Sequence, residues 1–133
     1  MREIVKGNTR FAISFDESDL GEGLRFFSKD DDFIQVGSWN YAQGKELKAH
    51  NHNIVPRSIN RTQEFIFVLT GAAEASIYDE KNELIETIVL KSHCGLILLA
   101  GGHGYKILEN NTKVIETKNG PYLGAKADRR RIF

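Results

Sequence analysis

The 133-residue chain predicts an all-β domain. Its apolar segments are short, rich in β-branched and aromatic residues, and separated by Gly, Asn, Asp and Ser clusters of the kind that turn a chain. Two polar tips, Asp79-Glu-Lys-Asn82 and Glu109-Asn-Asn-Thr112, sit between such segments and read as hairpin turns joining antiparallel neighbours. No stretch carries a helical apolar period over a useful length.

Taken in order, the expected strands are Ile4–Val5, Thr9–Ser14, Leu24–Phe27, Phe33–Tyr41, Glu46–Asn51, Phe65–Tyr78, Leu84–Leu90, Leu96–Leu99, His103–Leu108, Lys113–Thr117 and Pro121–Leu123. Asp30-Asp-Asp32 lacks the spaced ligands and closing glutamate of a calcium loop and reads as a solvated turn. With 41% hydrophobic residues, a chain of this size closes one core and not two. A single domain is expected: N-terminal strands over 1–43, a central part over 44–123, and a basic tail over 124–133.

Eighteen Lys and Arg balance eighteen Asp and Glu, and the one dense basic run is Arg129-Arg-Arg131. That is too little for a surface tracking nucleic-acid phosphates. A single cysteine, Cys94, excludes an internal disulfide framework and suits a reducing compartment. No apolar run is long enough to span a bilayer, and residues 1–7 lack the apolar core of a signal peptide. The expectation is a cytoplasmic protein with no nucleic-acid or membrane partner.

The residues that carry chemistry are His50, His52, Glu64 and His103. Side chains alternate along a strand, so His50 and His52, two apart, point to one face and can grip one ion. Glu64 opens the run Glu64-Phe-Ile-Phe-Val-Leu-Thr70, where a carboxylate entering an apolar strand must find a partner or suffer desolvation. Parity places Glu64, Ile66 and Val68 on one face and Phe65, Phe67 and Leu69 on the other, so both faces should be covered. His103 follows Leu96-Ile-Leu-Leu99 and opens the next strand.

The pattern Gly44-x5-His50-x-His52, then Glu64-x6-Gly71, resembles the first motif of the cupin superfamily, and His103 resembles the histidine of the second. The likeness covers residues 44–108. The segment from Gly101-Gly-His-Gly-Tyr105 to Pro121-Tyr122 is similar to a group of small single-domain cupins. The resemblance implies a jelly-roll, double-stranded β-helix barrel whose mouth holds a divalent ion on His50, His52, Glu64 and His103. Two departures stand out. Residues 53–63 make the spacer before Glu64 longer than the motif's usual one, which implies a rim loop, and His93-Cys94 and Gly101-Gly102 replace the second motif's usual residues.

Three imidazoles and one carboxylate suit Fe, Mn, Ni or Zn. Open positions on such an ion permit metal-assisted oxygenation or isomerisation of a small polar molecule related to a sugar or a keto acid. Two alternatives stay open: a non-catalytic small-molecule-binding barrel, and a metal-independent isomerase-like protein in which a histidine and Tyr105 work as base and acid. Glu116 and Lys118 alternate with Val114, so an inward Val114 would bring both charges to the interior as an ion pair. Arg57 and Arg61, in the rim loop, are candidates to bind an anionic substrate. Gln63 should face away from Glu64 without a ligand role. His93 beside Cys94 lacks a third orienting group, and Trp39 and Tyr41 should pack in the barrel or in a dimer contact. Sheet edges near Ile4 and Phe11 predict a homodimer.

Overall fold

The computed structural model describes residues 1–133. Ten strands run β1 (Arg2–Lys6), β2 (Thr9–Phe15), β3 (Gly23–Phe26), β4 (Gly37–Asn40), β5 (Glu64–Thr70), β6 (Ala72–Tyr78), β7 (Leu84–Lys91), β8 (Gly95–Leu98), β9 (Gly102–Ile107) and β10 (Lys113–Lys118); a single helical turn, α1 (Ala125–Asp128), follows. All pairing is antiparallel. The strands form a five-stranded sheet in the order β1-β2-β8-β5-β10, a three-stranded sheet β7-β6-β9, and a two-stranded sheet β3-β4. The hydrogen-bonded orders do not close on themselves, so the arrangement is that of two facing sheets with a small third one.

The main core lies between the two larger sheets. Ile4, Phe11, Ile66, Val68, Leu96 and Leu98 come from the five-stranded sheet, and Ala75, Ile77 and Leu90 answer from the three-stranded one. The opposite face of the five-stranded sheet is covered as well. Ile13, Phe15 and Ile97 pack there under Phe27, Ile34 and Val36, with Phe65 beside them. The parity expected for β5 therefore holds, with Ile66 and Val68 in one core and Phe65 in the other. Room for this second core depends on Gly95, whose added Cβ would meet the Phe15 ring at 2.4 Å.

The expected strand Phe65–Tyr78 is two strands. At Gly71 the backbone takes φ +81°, which a side chain rarely adopts, and the chain leaves the five-stranded sheet for the three-stranded one. The turn at 109–112 makes the reverse crossing. The sequence suggested a hairpin there, but β9 pairs with β6 and β10 pairs with β5. The two crossings lean on each other: Thr70 Oγ1 donates to Asn111 O at 3.0 Å, Ala72 N donates to Thr112 Oγ1 at 3.3 Å, and a Cβ on Gly71 would strike Thr112. Because β5 and β6 diverge at Gly71, the strands that pair with them must diverge too. The tip at Asp79–Asn82 does join antiparallel neighbours, β6 and β7.

Other expectations change. Phe33–Tyr41 shortens to β4, and neither Glu46–Asn51 nor Pro121–Leu123 is a strand. Trp39 is 67% exposed, not packed inside, since the β3-β4 ladder turns Ser38 inward instead. Ile4 and Phe11 are buried in the core, so the exposed edge of β1 offers a partner backbone, the half-exposed Val5 and the charged Arg2, Glu3 and Lys6.

Candidate functional site

Glu64 is the first residue of β5, on the inward face, and only 9% of it is exposed. Register with β10 sets Lys118 opposite Glu64, Glu116 opposite Ile66 and Val114 opposite Val68. Residues directly opposite share a face, so Val114, Glu116 and Lys118 point to the interior side. On the facing sheet, β9 sets His103 opposite Ile77 and Tyr105 opposite Ala75, both core residues. The inner faces of β9 and β10, each the last strand of its sheet, thus line a cleft at one end of the molecule.

In that cleft His103 Nε2 lies 2.9 Å from Glu64 Oε2, and Lys118 Nζ lies 3.4 Å from Glu64 Oε1. Lys118 also approaches Glu116 at 3.5 Å and Asp128 at 3.9 Å, and sits 5.4 Å from the centre of the Tyr122 ring. The buried carboxylate has found cationic and N–H partners, as its place in an apolar strand demanded. The hydrogen bond from His103 holds the Glu64 carboxyl below the usual carboxylate range, against the opposing effect of burial, and Lys118 adds to the lowering. Burial works against the Lys118 charge, but Glu64 and Glu116 outweigh it and raise the ammonium above its ordinary value. Tyr105, its ring centre 5.5 Å from that of His103, is 40% exposed as a residue, but its hydroxyl is partly desolvated near the Glu64 and Glu116 anions. Both effects push its hydroxyl well above the usual tyrosine value, so it remains a proton donor.

The four sequence-derived metal ligands fall into two pairs. Glu64 and His103 meet; His50 and His52 lie in the exposed, strand-free segment between β4 and β5, their rings 5.0 Å apart and edge to face. The four do not converge, and no group of three or more His, Cys, Asp or Glu gathers in a metal-holding arrangement. The Glu64–His103 pair nevertheless has the spacing of neighbouring ligands. Two donors about 2.1 Å from one ion at a right angle are about 3 Å apart, the separation of Glu64 Oε2 and His103 Nε2. His50 Nδ1 lies 3.0 Å from Lys48 O, an N–H donation that would leave Nε2 as its free donor atom.

The remaining candidates divide similarly. Glu116, Lys118 and Tyr105 line the cleft. Arg57 borders a hollow with Asp30, Asp31 and Asp32, and neither Glu64 nor His103 belongs to its walls. Arg61 contributes its carbonyl, which accepts from Asn119 Nδ2 at 3.0 Å. His93 pairs with Glu17 at 2.9 Å and does not activate Cys94.

Three residues near the cleft carried no signal in the sequence. Gln63 is buried: its Oε1 accepts from the backbone N–H of Phe33 (2.7 Å) and Ile34 (3.1 Å), and its Nε2 donates to Leu99 O at 3.2 Å. Asn119 Oδ1 accepts from Gln63 N at 2.8 Å, fixing the entry of β5 beside the end of β10. Asp128 reaches back from α1 to accept from Thr62 Oγ1 at 2.7 Å. These contacts are long-range, and only the topology creates them. Compared with known protein-family models, curated proteins and solved structures, the chain matches none.

Proposed function

We propose that this protein is a cupin-type, divalent-metal-dependent protein acting on a small polar molecule, by oxygenation or isomerisation. The observation that carries the proposal is the 2.9 Å approach of Glu64 and His103 from opposing sheets in a cleft that also holds Tyr105 and Lys118. Glu64 and His103 form the fixed half of the site, and His50 and His52 supply the other half from the segment before β5. The free edge of β9 offers a backbone ladder on which residues 46–52 can add as a further strand, which would bring two same-face imidazoles toward His103. Fe, Mn, Ni or Zn bound there would act as a Lewis acid toward a carbonyl or enolate oxygen. The chain's own groups have separate tasks: Lys118 holds substrate anionic charge, and Tyr105 keeps a proton ready for transfer.

Metal analysis of the purified protein, with turnover and dioxygen uptake measured on sugars and keto acids after reconstitution, tests this reading. Metal-free protein that binds no added ion, or loaded protein inert on the whole panel, counts against it.

A second reading rests on the same contact. His103 is already engaged by a carboxylate and neighboured by a protonated Tyr105, an arrangement suited to a metal-independent base and acid pair. Activity that survives exhaustive chelation would select it. Ligand binding without chemical change would instead select a non-catalytic binding protein. A cytoplasmic homodimer belongs to the proposal as well, and sedimentation as a monomer at micromolar concentration would remove the dimer from it. No helix is long and apolar enough to cross a membrane.

A further inference from the structure

The last thirteen residues return to the end of the molecule that holds the Glu64–His103 pair. Tyr122 lies against Lys118, and α1 then turns Asp128 back onto Thr62 Oγ1 and toward Lys118 Nζ. Beyond the exposed Arg129-Arg-Arg131, Ile132 packs on Gly102 so closely that a Cβ there would lie 2.4 Å from Ile132 Cδ1, and the Phe133 ring meets the Tyr78 ring edge to face at 5.7 Å. One set of contacts is on the five-stranded sheet, at the start of β5 and the end of β10. The other is on the three-stranded sheet, at the start of β9 and the end of β6. Thr62 is two residues before Glu64 and Gly102 is one before His103. At about 3.3 Å per residue, each anchor sits within about 7 Å of a site residue's backbone.

We infer that residues 121–133 are a strap spanning the end of the sandwich over the Glu64–His103 cleft, latched by Asp128 and seated by Ile132, and that its release controls access to the cleft. Lys118 belongs to both structures, touching the site carboxylate and the latch carboxylate. A substrate or ion that occupies Glu64 therefore changes what holds the strap. The tri-arginine run lies between the two anchors in sequence and is exposed.

The test uses the full chain without added metal and reads the rate at which diethyl pyrocarbonate modifies His103, followed by peptide mass spectrometry, with His93 as the internal reference. Asp128→Asn and Ile132→Ala are compared with the parent chain. A ratio of the His103 to the His93 rate that rises roughly fivefold in at least one variant supports the strap, the factor expected when about one net hydrogen bond is lost. An unchanged ratio in both variants overturns it. So does a rise accompanied by faster hydrogen exchange at the buried Val68 amide, which reports loss of the core and not release of a strap.

Discussion

Glu64 and His103 belong to different sheets, yet Oε2 of one and Nε2 of the other are 2.9 Å apart. The contact ties the two layers together at the start of β5 and of β9. A charge-assisted hydrogen bond there contributes about 1.5–3 kcal/mol, and removing one partner leaves the other partly buried.

Glu64→Gln keeps the shape of the side chain and removes its charge. If Glu64 is a metal ligand, affinity for Mn or Zn falls by at least about tenfold while the fold is retained. Titration calorimetry and circular dichroism check both halves, and equal affinity in parent and variant would reject Glu64 as a ligand.

Asp79 sits at the β6-β7 tip, bonded to Lys6 and to the backbone N–H of Glu83 and Lys81, and these contacts hold its carboxyl below the ordinary value. A carboxyl with a depressed folded-state pKa stabilises the protein above its unfolded value, and that stabilisation is lost as pH falls through the folded one. Melting temperature should therefore drop on acidification below about pH 4, and Asp79→Asn should flatten that limb. Parallel melting curves for both proteins from pH 3 to pH 6 would contradict this.

Gln63→Ala removes a buried amide and strands the Phe33 and Ile34 N–H groups. The expected loss is about 2–4 kcal/mol in urea unfolding. A change under about 0.5 kcal/mol, the size of an ordinary surface substitution, would show that Gln63 does not hold the 33–34 segment.

Gly95→Ala drives a methyl group into the Phe15 ring, which stacks on Phe27 at 4.0 Å and on Phe65 at 5.9 Å and has little freedom to retreat. Overpacking of this kind should cost about 1–3 kcal/mol. An unaltered unfolding midpoint would mean the second core is looser than these contacts imply.

The all-β class, the inward and outward faces of β5, and the need of Glu64 for a partner were legible in the sequence, because period-two alternation and a lone carboxylate in an apolar run each have one simple physical solution. A place for His103 near Glu64 was implied by the cupin resemblance alone, and through a shared ion rather than a direct contact. The sheet crossings at Gly71 and Thr112 were not. A glycine inside a long apolar strand signals a bend without saying which sheet each half joins. His50 and His52 show the opposite limit: alternation over Glu46–Asn51 suggested a strand, yet a strand needs a paired neighbour, and this segment pairs with none in the structure. Gln63, Asn119 and Asp128 act through partners at least 29 residues distant, which no local pattern encodes.

The central claim is that His50, His52, Glu64 and His103 share one divalent ion. Cobalt(II) titration of metal-free protein, read by its ligand-field absorption, measures this directly. The expected result is one equivalent bound, with the spectrum altered and affinity reduced at least about tenfold by removing either member of each pair. Binding that is absent, or that is indifferent to His50→Ala and His52→Ala, would contradict it.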